Sequence, residues 1–370
     1  MLGLVGINQF LLSFILYLRS NVSGLLMFKT DSILSVLDRF LMIIICGILL
    51  YTNVTGHEFR ISWFVYAQTT AYFIAAMIAF IIVVLHAKFR KLHWNWPFFL
   101  VILKQSFPFA ILFLLMTFYN RIDSVMLERI LPENIGEQQS GIYAMAYRLL
   151  DSMNQVPYLF SVLLFPIFAR MIKEKQNVEE MVKLSFSLLF IISIVVAAGS
   201  YFYNFRIIDA LYIEHVDASA KVFSILMLCL IPVSTIYIFG TLLTANGNLM
   251  ALNLIAGIGM LLNVLLNFIL IPKFEALGSA IASISTQFLS GILQVIIVQK
   301  VFRFRVNTKY LLSLVSFIAG VIAFNIMTMN FKLPWTFNFG IMIILSLVLA
   351  VSLRLFNIKS ILLVMMNSKE

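Results

Sequence analysis

Apolar residues in this chain neither alternate with polar ones, as in a half-buried strand, nor recur as the single stripe of a soluble helix. They run in long blocks divided by short polar stretches. A helix needs ~20 apolar residues to cross ~30 Å of hydrocarbon, and only helices or closed barrels satisfy their backbone groups there. Eleven blocks meet that length, near 2–18, 33–52, 62–85, 102–130, 140–169, 181–204, 219–243, 250–271, 277–299, 309–328 and 338–357. They predict an all-α polytopic membrane protein with about eleven transmembrane helices. The first block is the weakest, being short and carrying Asn8 and Gln9.

Composition narrows the picture in the same direction. Of 370 residues, 62% are hydrophobic and 11% are charged, against ~45–50% and ~25% in soluble domains. A soluble fold could not hide so much apolar surface, and disorder is excluded for the same reason. The formal net charge of +10 fits cytoplasmic loops and anionic headgroups better than nucleic acid.

The connections between spans alternate in charge. Seventeen Lys and Arg fall on one set, among them Lys88, Arg90, Lys91, Arg170, Lys173 and Lys175. Six fall on the other: Arg60, Arg129, Arg206, Lys221, Lys273 and Lys332. The positive-inside rule then places the C-terminus in the cytoplasm, and eleven spans place Met1 on the outer side. The first block is not expected to be a cleavable signal peptide, since it has no basic n-region before it and no small-residue cleavage site after it. Two readings follow: a chain that begins partway through a larger protein, or an eleven-span protein with a short translocated tail. Residues 86–99, HAKFRKLHWNWPFF, interleave basic and aromatic residues, a pattern suited to an interfacial linker between two lobes.

Catalytic and metal-binding signals are missing from the sequence. Cys46 and Cys229 lie inside apolar blocks as small buried hydrophobes, with no CxxC pairing. The four His residues form no helical metal pair, and neither a P-loop nor a GxSxG motif occurs. The outer loops are short, the longest near 203–219. We therefore expect neither an enzyme nor a cofactor.

Polar residues inside the spans carry the functional reading, because a charge at mid-bilayer costs ~2.5–3.5 kcal/mol on insertion scales. Arg39, Arg121 and Arg148 lie there, with Asp38, Asp123 and Asp151. Arg39 and Asp38 are near the inner surface, where an interfacial salt bridge or snorkelling suffices. Arg121 lies ~15 Å from the outer end of the fourth span, and Arg148 ~11 Å from that of the fifth. A short connection makes these spans antiparallel neighbours, so their charges share one layer. Ala144, Arg148, Asp151 and Gln155 form one stripe at helical spacing, flanked by Tyr147 and Asn154. Arg121 aligns with Thr117, Ser124 and Glu128, while Asp123 points elsewhere, beside Tyr119 and Asn120.

Two readings of this cluster stay open. One is a cationic wall of a translocation cavity, with Arg148, Arg121, Gln155, Asn154, Tyr147 and Asn120 binding substrate. The other is interhelical ion pairing, for example Arg148 with Asp123. Asp123, Asp151 and Glu128 are candidates to carry a coupling proton or sodium ion. Pro108, Pro157, Pro166 and Pro232 are expected to interrupt their spans, as in transporters whose lobes rock.

Two stretches carry a family resemblance. YNRIDSVML with GIYAMAYRLLDSMNQVPYLFSVLLFPIFARM, and TLLTANGNLMALNLIAGIGMLLNVLLNFILIPKFEALGSAIASISTQ, resemble the polysaccharide-biosynthesis flippase family. That family is the oligosaccharide-lipid branch of the group that includes multidrug and toxin extrusion transporters. In the second stretch, many members have Gly where this chain has Glu275. The opening NQFLLSFILYLRSNVSGLLMFKTDSILSVLDRFLM resembles the family's fourth and fifth helices.

The resemblance implies two six-helix lobes followed by two extra helices. Residues 1–85 would be three helices of a partial amino-terminal lobe and 86–100 the linker. Residues 101–301 would be the carboxy-terminal lobe, and 302–370 two extra helices and a cytoplasmic tail. It implies an amino-terminal truncation. It also implies flipping of an undecaprenyl-pyrophosphate-linked oligosaccharide across a bacterial cytoplasmic (inner) membrane by alternating access, for a surface polysaccharide such as lipopolysaccharide. The partners implied are the lipid-linked oligosaccharide and membrane lipids, with a polysaccharide polymerase and assembly proteins as further candidates. The alternatives are a cation-coupled multidrug exporter of the same fold, and an inactive gene fragment.

Overall fold

The computed structural model describes residues 2–25, 27–51, 61–86, 95–304 and 307–355. Most of the 86–99 linker lies outside these residues, as do Met1, Arg60 and residues 356–370. The elements are α1 (Leu2–Gly24), α2 (Phe28–Tyr51), α3 (Ile61–His86), α4 (Trp96–Ile130), α5 (Glu133–Lys173) and α6 (Glu179–Phe202). Then come α7 (Asn204–Leu211), α8 (Val216–Met227), α9 (Leu230–Ala245), α10 (Leu249–Phe302), α11 (Thr308–Met329) and α12 (Trp335–Ser352).

Among the described residues, ten helical stretches are long and apolar enough to cross a membrane. One of them, α10, has 54 residues, which as a straight helix would measure about 81 Å. It does not run straight. Glu275 takes φ 54°, ψ −133°, and Ser279 Oγ donates to Asn267 Oδ1 at 2.7 Å. Residues 12 apart in sequence meet only if the chain doubles back. The two arms of α10 are thus separate crossings, and the eleven expected spans are all present. The seventh span is α8 and α9 together, broken at Leu228–Cys229 just before Pro232.

Two sequence expectations are corrected. Pro108 lies inside α4, and Pro157 and Pro166 inside α5, without ending either helix. Each proline removes one backbone donor, and the flanking turns carry the helix through. Pro232 alone sits beside a break, in the first turn of α9, where its missing N–H would be unpaired anyway. The 203–219 connection is not wholly a loop, since it folds into the two-turn α7.

The chain divides into two units between Asn95 and Trp96. In the first, α3 carries Ala67, Ala71, Ala75 and Ala79 at a spacing of four, all buried. Such a stripe of small residues lets helix backbones approach closely in a lipid setting. Ile15, Leu18 and Val22 of α1 and Leu34 of α2 pack there. The polar residue that weakened the first span is accounted for: Asn8 is buried and donates to Gln68 Oε1 on α3. Asp38 is buried beside an exposed Arg39, with 3.6 Å between their charged atoms.

The second unit packs α4, α5, α8, α9 and α10 around Tyr143, Phe223 and Leu226. A second cluster joins Phe168, Leu189, Ile238 and Leu252. The helices α11 and α12 close on α6 through Phe317, Val321 and Met342. Hydroxyl pairs tie the same helices, Ser187 with Tyr310 and Tyr203 with Thr328.

Candidate functional site

The site grows from the α4–α5 hairpin. Only Leu131 and Pro132 separate the two helices. The turn is tight because α5 presents Gly136 to the end of α4, where a Cβ would stand 2.9 Å from the Glu128 carbonyl oxygen. This close approach fixes the register of the two helices and sets Arg121 level with Asp151. An Arg121 amino nitrogen lies 3.0 Å from Asp151 Oδ2, and its guanidinium stands 5.6 Å from the Tyr147 ring centroid.

The expected pairing of Arg148 with Asp123 does not form. Arg148 is exposed, and among the described residues no carboxylate lies within ion-pair distance of it. The reason is the 100° step of the helix: Asp151 stands where Arg121 reaches it, and Asp123 turns into the core. Gln155 is exposed on the same face as Arg148, and its side chain leans back to the Asp151 carbonyl oxygen. Glu128 is exposed near the end of α4, apart from both groups.

Asp123 is 1% exposed and has neutral partners. Tyr143 Oη donates to its Oδ2 at 2.6 Å, and Ser283 Oγ donates to the same oxygen. Asn267 Nδ2 donates to Oδ1 at 2.7 Å and lies 3.0 Å from Asn263 Oδ1. The node joins α4, α5 and both arms of α10, and no basic side chain enters it. Its oxygen-rich surroundings could hold a proton or a small monovalent cation. Among the described residues no cluster of three His, Cys, Asp or Glu exists.

Asn120 and Asn154 face neither group. They line a cavity of about 260 Å³ enclosed by α4, α5, α9 and both arms of α10, with Tyr119, Tyr237, Gln287 and Gln294 among its walls. The expected binding residues therefore divide. Arg121, Tyr147, Arg148 and Gln155 share one face with Asp151, while Asn120 and Asn154 open into the cavity.

Sequence reasoning assigned no role to Tyr143, Ser283 or Gln294. It quoted Asn263 and Asn267 only as part of a motif. Their spacing of four residues puts both amides on one helix face, and that is the signal that could have found the node. Ser283 leaves no such trace, because its partners Asp123 and Tyr143 come from helices distant in sequence, and Gln294 leaves none because its Oε1 has no hydrogen-bond partner to mark it.

Residues 2–172 match a family model described as "Polysaccharide biosynthesis protein". No curated protein matches the sequence. Among solved structures, one described as "Lipid II flippase MurJ, inward closed conformation" superposes with a TM-score of 0.69 at 16% identity, over 95% of this chain and 73% of that one. At that identity the likeness is one of fold. Residues 2–172 are thus similar to the polysaccharide-biosynthesis family model, and the chain as a whole is a multi-pass membrane protein that shares the fold of that solved structure.

Proposed function

We propose that the protein is a transporter, not an enzyme, that flips an undecaprenyl-pyrophosphate-linked oligosaccharide across the bacterial cytoplasmic membrane by alternating access. Residues 1–85 and 101–301 act as the two moving lobes, joined by 86–100, and 302–370 is an appended pair of helices with a cytoplasmic tail. The observation that carries the reading is Arg148: exposed on a span and without a carboxylate partner among the described residues. Lipid would not tolerate such a group, so it faces water or an anion. Its fork of donors matches a diphosphate, and Arg121 stands on the neighbouring helix as a second cation held by Asp151. The lipid tail needs no protein seat, since it can stay in the bilayer.

Two cations on one face argue against the multidrug exporter, whose substrates are often cationic. Asp123, with Asp151 and Glu128 as lesser candidates, carries the coupling proton or sodium ion. If neutralising all three left transport and its dependence on either ion unchanged, the coupling assignment would be wrong.

The test is rescue of surface-polysaccharide export in a strain lacking its own flippase. The chain rescues export, Arg148→Ala abolishes rescue at unchanged protein level, and Arg148→Lys keeps part of it because charge remains without the fork. Normal export by the alanine variant would remove Arg148 from the mechanism. No rescue by the unaltered chain would favour an inactive fragment, and dye export in its place the multidrug reading.

A further inference from the structure

The cavity within the second unit has walls of an unusual kind. No charged side chain lines it. Four amide side chains do, Asn120, Asn154, Gln287 and Gln294, and among the described residues none of the four makes a side-chain hydrogen bond. Gln294 is 6% exposed and its Oε1 has no partner. Asn154 Oδ1 is buried and unpartnered too. Native interiors rarely leave buried polar atoms unpaired, and such atoms call for an explanation. Space for these amides is made on the facing helices by small residues. A Cβ at Gly240 would come 3.1 Å from Gln294 Oε1, and one at Gly259 would come 3.0 Å from Ser290 Oγ.

From this cavity we infer a seat for one uncharged sugar ring of the transported headgroup, an inference that rests on the flippase reading. Each amide offers an acceptor oxygen and a donating NH₂, so the matching ligand must both donate and accept around its rim, as ring hydroxyls do. Met116, Ile236, Leu252 and the Tyr237 ring supply an apolar wall for the C–H face of a pyranose. An anionic sugar would leave water without meeting a cation, and a cation would meet no carboxylate. A lipid tail would leave the amides unpaired. The volume of about 260 Å³ falls below the ~300–1,000 Å³ of drug-sized sites, which suits a single ring. Asn120 adjoins Arg121, and Asn154 follows Asp151 by three residues, so the seat and the charged stripe occupy adjoining faces of the same two helices.

The experiment is a saturation-transfer NMR titration of the whole chain in lipid nanodiscs, with methyl glucopyranoside, methyl N-acetylglucosaminide and the methyl glycoside of glucuronic acid as probes. At least one neutral glycoside should saturate, and the glucuronide should bind about ten-fold or more weakly. Gln294→Leu keeps the side chain's size and should weaken neutral binding about ten-fold. Asn154→Leu, melting as the unaltered chain does, is the second variant should the first fail to fold. Absence of saturable neutral binding, equal binding of the glucuronide, or no change in a folded variant would overturn the seat. Neutral binding without rescue of export would leave the seat standing and remove the flippase reading. Rescue without neutral binding would do the reverse.

Discussion

At Asp123 the structural role of a buried side chain can be tested apart from the coupling role proposed for it. It accepts from Tyr143, Ser283 and Asn267, so Asp123→Ala strands several buried donors and should cost about 3 kcal/mol. Asp123→Asn is different. The Asn267 bond to the retained oxygen survives, and the Tyr143 and Ser283 hydroxyls can turn to accept from the new NH₂. We expect a cost under about 1 kcal/mol for it. Thermal melting in detergent separates the variants: a large drop for alanine, little change for asparagine, while ion-dependent transport is lost in both. Glu275 presents the opposite case. Its φ of 54° lies where a Cβ is disfavoured and glycine is at ease. Glu275→Gly should raise the melting temperature, by a gain of about 1 kcal/mol.

That turn matters because of what it joins. The two arms of α10 pack so closely after Glu275 that a Cβ on Gly278 would overlap the Leu270 carbonyl oxygen. Helical backbone cannot yield there without separating the arms, and with them the Asn267–Ser279 bond. Gly278→Val should therefore destabilise the fold by about 3 kcal/mol, seen as lost expression or a lowered melting point. Gly257 and Gly141, with open space around them, should accept alanine freely. The same contrast explains what was legible beforehand. Length and hydropathy mark each arm as a span, and the α4–α5 hairpin follows from a short connection. Asp123 was expected to point away from Arg121, and it does. Its partners were not readable, because two of the three, Asn267 and Ser283, come from residues 144 and 160 positions downstream, and apolar patterning sets how far a span reaches but not which neighbour it meets. The prolines misled for a related reason: a helix buttressed by neighbours keeps its course past a missing hydrogen bond.

Over the whole chain, the expected orientation turns on parity, and parity can be checked within the second unit. Between the α5–α6 turn at 174–178 and the α11–α12 turn at 330–334 lie α6, the α8–α9 pair, both arms of α10, and α11. Five crossings put the two turns on opposite sides of the membrane. Arg170, Lys173 and Lys175 cluster at the first turn, while Lys332 stands alone at the second, so the positive-inside rule predicts a cytoplasmic first turn. Both turns are exposed at Gln176 and Lys332. Cys46 and Cys229 are the only cysteines and can be replaced by serine or alanine to give a silent background. In that background we expect Lys332→Cys to react with a membrane-impermeant maleimide in cells whose cytoplasmic membrane is intact. Gln176→Cys should react only after that membrane is opened. Labelling of both sites from one side would mean an even number of crossings between them, so that one of these five helical stretches does not cross. Labelling of Gln176→Cys alone from outside would keep the parity and invert the protein, placing Arg121 and Arg148 in the cytoplasmic half of the bilayer. The diphosphate would then be met first at the side where it is loaded.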